Sequence, residues 1–136
     1  MRYKELVRTL INAEMQDISL YTAEAKAFGA HPVHGARINE LFLGFAEEEL
    51  RHLKALGEAV RENTGFRYRN TEVPRSVEAA LRTHVNREND SIVMYRALLK
   101  LLLKNPEGTE VIKGIILSER AHLAAIRELQ ELLKKK

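Results

Sequence analysis

Apolar residues recur at steps of three and four along four stretches of this chain. That spacing is the helix period. Three breaks separate the stretches: Phe28-Gly29-Ala30-His31-Pro32, a longer one from Asn63-Thr64-Gly65 to Val73-Pro74, and Lys104-Asn105-Pro106. The pattern predicts helices over roughly Tyr3–Phe28, Val33–Glu62, Arg75–Lys104 and Pro106 to the end of the chain. Asn105 suits an N-cap and Pro106 the first helical position. Short turns after the first and third helices make antiparallel hairpins. The longer middle break has the reach to cross the bundle, so the expected class is all-α: an antiparallel four-helix bundle of two hairpins joined by a crossover.

The apolar stripes are not purely apolar. Glu14 lies on the first with Leu10, Ile11, Ile18 and Tyr21, and Glu88 on the third with Leu81, His84, Ile92 and Tyr95. The second and fourth carry Glu49-Leu50-Arg51-His52 and Glu119-Arg120-Ala121-His122. The chain therefore repeats itself. Each half is a hairpin of the form Glu-x6-Tyr followed by Glu-x-x-His, offset by 74 residues for Glu14 and Glu88 and by 70 for Glu49 and Glu119.

Residues i and i+3 share a helix face, so each Glu-x-x-His pair projects together. Heights also agree. Glu14 and Glu49 lie about 14 and about 16 residues from the first break, and Glu88 and Glu119 about 16 and about 13 from the third. All four carboxylates thus fall within about one turn of a common mid-bundle layer. One unpaired buried carboxylate costs several kcal/mol, and four together also repel one another. Two divalent ions neutralise four carboxylates, with His52 and His122 completing the set. Glu14 and Glu88 are expected to span or flank the metal pair. Mixed carboxylate and imidazole donors suit iron or manganese.

Composition narrows the function classes. The chain has 136 residues, which suits one domain over 1–136, and a net charge of +3 with Lys and Arg interleaved among Glu. Its only basic run, Lys134-Lys135-Lys136, reads as a solvated helix end, so no nucleic-acid partner is expected. No apolar run is long enough for a bilayer and no export pattern opens the chain, which points to the cytoplasm. With no cysteine, disulfides, thiolate metal sites and a thiol nucleophile are excluded.

The chain resembles the rubrerythrin-like branch of the ferritin-like superfamily over nearly its whole length. The carriers are Glu14 with Tyr21, Glu49-x-x-His52, Glu88 with Tyr95, and Glu119-x-x-His122. The resemblance implies two iron ions, with manganese as an alternative, and reaction with hydrogen peroxide or dioxygen as a peroxidase or ferroxidase. It also implies a homodimer. Rubrerythrins proper carry a four-cysteine rubredoxin-type domain; this chain has no cysteine, so a separate rubredoxin-like electron donor is expected. They also tend to carry one more carboxylate on the third helix. Here Ser91 and Val85 occupy the positions one turn either side of Glu88, leaving six ligands and keeping ferroxidase chemistry open. The alternatives are a non-catalytic iron-binding or storage protein and a structural bundle with a vestigial site.

Further residues read less sharply. Tyr21 and Tyr95 can bond ligands across the bundle, relay electrons, or serve as ordinary core tyrosines. His84 reads as a partnered core histidine, with an added ligand as the alternative. Asp17 and Asp90 can orient an imidazole or be solvated. Glu47 and Glu48 read as surface charge, and His31 and His34 as solvent-facing turn residues.

Overall fold

Four helices form where the period predicts them. In the computed structural model, which describes residues 2–135, they are α1 (Tyr3–Phe28), α2 (Gly35–Val60), α3 (Val77–Leu101) and α4 (Pro106–Lys134). Lys136, the end of the basic run, lies outside the described residues. Asn105 caps α4 by accepting from the Gly108 amide at 3.1 Å, with Pro106 in the first turn. Ser76 does the same for α3, accepting from the Ala79 amide at 3.1 Å and starting that helix two residues after the predicted Arg75. α2 begins at Gly35 instead of Val33, because residues 31–34 are taken up by a turn in which the His34 amide donates to the His31 ring. A Cβ at position 35 would collide with the backbone of Gly29, so the tight α1–α2 hairpin requires glycine there. His31 and His34 are in the expected turn but half-buried, stacked on one another.

α1 packs on α2 and α3, and α4 packs on α3 and α2, which leaves α1 opposite α4 and α2 opposite α3 across the diagonals. Contacts such as Tyr21 to Glu88 and Tyr95 to Glu14 set α1 and α3 antiparallel. Glu49 to His122 and His52 to Glu119 do the same for α2 and α4. Every packed pair is therefore antiparallel, and α2 and α3 run in the same direction. Residues 61–76 must then travel the length of the bundle, as the crossover reading requires. They run along α1, where the Arg69 amide donates to Ser19 Oγ at 2.8 Å and its guanidinium to Asn12 Oδ1 at 2.8 Å. Phe66 of this segment packs over Met15, Ile18 and Leu53.

The interior is divided. At one end Leu6, Leu10, Leu56, Leu98 and Ile112 form one apolar cluster. At the other, Ile38, Phe42, Leu81, Ile126 and Leu129 form a second around Tyr21. The layer between them is polar. No helix among the described residues is long and apolar enough to cross a membrane.

Candidate metal centre

All six sequence-predicted ligands meet in that middle layer. Glu14, Glu49 and Glu119 have no exposure, Glu88 and His122 have 1% and His52 has 7%. They form two four-donor groups, each with its ligand atoms within 4.8 Å of one another: Glu14, Glu49, His52 and Glu119, and Glu49, Glu88, Glu119 and His122. Glu49 and Glu119 belong to both groups, whereas Glu14 and Glu88 each belong to one. Two ions held here would share Glu49 and Glu119, while Glu14 and Glu88 would each serve one.

The groups do not follow the hairpins. Glu119 of α4 completes the set otherwise made by α1 and α2, and Glu49 of α2 completes the set made by α3 and α4. Both imidazoles turn Nδ1 inward. His52 Nδ1 is 3.0 Å from Glu119 Oε1 and 3.5 Å from Glu49 Oε1. His122 Nδ1 is 3.0 Å from Glu49 Oε1 and 3.5 Å from Glu88 Oε1. Tyr21 and Tyr95 donate across the bundle, to Glu88 at 2.8 Å and to Glu14 at 3.0 Å. Burial, followed by the charges of Glu88 and of Glu14 respectively, pushes both phenols well above their usual range, so they stay protonated donors.

The donor set fits metal on a direct test. Buried polar side-chain atoms normally have partners. Among the described residues eight lack one, and six of these line the two groups: Glu14 Oε2, both Glu49 oxygens, Glu88 Oε2, Glu119 Oε2 and His122 Nδ1. Burial, and then the Glu49 charge, raises Glu14 well above the ordinary carboxyl range. Burial and the charges of Glu49 and Glu14 do the same to Glu119. Burial also opposes ionisation of Glu49, but the neighbouring Glu14 carboxyl and the His122 and His52 rings outweigh that and hold it low. For His122, burial disfavours the charge, yet the Glu49 and Glu88 carboxylates beside it raise it to about 10.

Several neighbours differ from the sequence reading. Glu48 is half-buried, and its Oε2 accepts from His122 Nε2 and from Ser118 Oγ, each at 3.1 Å. It sits about 100° around α2 from Glu49, which faces it into the α2–α4 groove instead of toward open solvent. Glu47 is exposed, as expected. Asp17 is buried and paired with Arg87, and Asp90 is exposed. His84 is a partnered core histidine. It bonds Glu24 and stacks on Tyr21 with ring centroids 4.0 Å apart. Glu24, 1% exposed, escaped the sequence reading, although its position three residues past Tyr21 on the same stripe was a usable signal.

No protein-family model matches this chain, and no curated protein matches it.

Proposed function

We propose that this chain is a rubrerythrin-like non-haem di-iron oxidoreductase, acting on hydrogen peroxide or dioxygen at the mid-bundle centre. The observation that carries this reading is the pair of buried four-donor groups sharing Glu49 and Glu119. Glu14, Glu49, His52 and Glu119 would hold one ion, and Glu49, Glu88, Glu119 and His122 the other. Four ionised carboxylates balance two divalent cations, which is what the unpartnered oxygens call for. When bound, a ferrous pair supplies the two electrons that reduce a peroxide, with two protons, to two waters.

The chain's own groups set the conditions for that chemistry. Tyr21 and Tyr95 hold Glu88 and Glu14 by single hydrogen bonds, leaving one oxygen of each carboxylate free for an ion. The apolar clusters at both ends limit water around the layer. Manganese would satisfy the same donors. With no cysteine in the chain, re-reduction would fall to a separate rubredoxin-like donor, and a homodimer is the assembly this reading carries with it.

An anaerobic Fe(II) titration of metal-free protein, followed by mixing with peroxide or air, tests the proposal. Saturation near two irons per chain and rapid oxidation are expected, and the faster oxidant separates peroxidase from ferroxidase. Slow oxidation of two bound irons would leave a storage or binding protein. No binding, with Glu49→Ala and Glu119→Ala behaving like the parent, would leave a structural bundle with a vestigial site.

A further inference from the structure

The internal repeat is broken next to the metal centre. The 70-residue offset that relates Glu49 to Glu119 and His52 to His122 also relates Glu48 to Ser118. The two hairpins pack with α2 antiparallel to α4, so a residue just before one shared glutamate faces the histidine of the other helix. Glu48 does this, with Oε2 3.1 Å from His122 Nε2. Its counterpart facing His52 would be residue 118, but a serine is too short to make the return contact. Ser118 donates instead to Glu48 at 3.1 Å, reinforcing the side that already has a carboxylate.

The two imidazoles therefore differ. His122 is 1% exposed, packs on the Phe45 ring at 4.6 Å, and has its outer nitrogen fixed by Glu48. His52 is 7% exposed, and among the described residues its only hydrogen bond is the inward one to Glu119. The flanking carboxylates differ in the same sense. Tyr21, which holds Glu88, is braced by the His84 ring, itself bonded to Glu24. Tyr95, which holds Glu14, lies in an apolar cluster with Leu10 and Leu98.

We infer that the two ion positions are inequivalent: the Glu88–His122 position fills first, and Glu48 is the positioning residue that makes it tighter. A carboxylate on the outer N–H fixes the tautomer that leaves Nδ1 free, orients the ring and makes it a stronger donor. His52 must be ordered by the ion itself. The inference rests on the dimetal reading and specifies its order of loading.

Calorimetric and optical titration of metal-free protein with Co(II) tests it. Two steps of unequal affinity are expected. Glu48→Ala should weaken the tighter step about 10–100-fold and leave the weaker unchanged, and Glu48→Gln, which keeps an acceptor, should recover part of the loss. His52→Ala should remove the weaker step and His122→Ala the tighter. Exchanging the pair, Glu48→Ser with Ser118→Glu, should reverse which histidine substitution removes the tighter step. Two indistinguishable steps in the parent, or an equal loss in both steps with Glu48→Ala, would overturn the inference while the dimetal reading stands. A parent that binds no Co(II), Fe(II) or Mn(II) would overturn both.

Discussion

Four carboxylates in one dry layer make the metal-free protein sensitive to pH in an unusual direction. Glu14 and Glu119 are raised by burial and by neighbouring carboxylates, so between their unfolded and folded values the native state binds more protons than the unfolded chain. Stability there falls as pH rises. His122, raised from 6.5 to about 10, adds the same sign: its contribution is complete below 6.5 and is lost as pH climbs through about 10. Glu49 is lowered and contributes the opposite slope, but only below the ordinary carboxyl range. Metal-free protein should therefore melt higher at pH 5 than at pH 8, and metal should remove most of the difference by displacing those protons. Melting curves with and without Mn(II) at the two pH values check this; a metal-free protein more stable at pH 8 would contradict it. The six clustered glutamates and histidines were legible in the sequence because their spacing and their repetition are properties of single helices. Glu48 was not, because its role depends on how α2 is rotated against α4, which no local pattern encodes; Glu24 shares the stripe of Tyr21, but its partner His84 lies on another helix.

At the scale of the element, α2 is not optimised for helix formation. Gly44 sits inside it with nothing within 4 Å of where a Cβ would be, and Gly114 is in the same position in α4. α2 then ends on Arg61 in the left-handed region at φ 56°, a conformation glycine adopts without strain. Gly44→Ala, Gly114→Ala and Arg61→Gly should each raise stability by about 0.5–1 kcal/mol in urea titrations. A loss from Gly44→Ala or Gly114→Ala would mean that another chain closes on that helix face. Caps should act in the opposite sense. Ser76→Ala and Asn105→Ala remove the acceptors at the starts of α3 and α4 and should cost about 1 kcal/mol each. The Asn105-Pro106 start was readable because both residues name the same boundary. The start of α3 was misplaced by two residues because Arg75 gives no capping signal and the acceptor is Ser76.

For the molecule as a whole, the polar layer is a cost that bound ions offset. An ion held only by the native state stabilises it by about 2.7 kcal/mol at a free concentration a hundredfold above its Kd. Chelation should lower the melting temperature of loaded protein. Glu14→Gln and Glu119→Gln should raise the stability of the metal-free form near neutral pH, where burying either carboxyl requires it to take up a proton, while reducing the gain from metal. Differential scanning calorimetry of parent and variants, with and without Mn(II), measures both effects; variants less stable than the parent without metal would show that the carboxylates serve packing alone. The bundle and its crossover were visible from break lengths, since two short turns and one long one admit few arrangements. Which carboxylates the two groups share was not visible, because that is decided by how the two hairpins dock.

That docking has a practical corollary. Neither hairpin owns a complete set of donors, since each ion would take one glutamate from the opposite half. A chain cut within the crossover, beyond Phe66 and before Ser76, would yield two fragments that rejoin through both apolar clusters, with divalent metal tightening the union. Tethered to two other proteins, they would act as a chemically adjustable fastener, tightened by added ion and loosened by chelator.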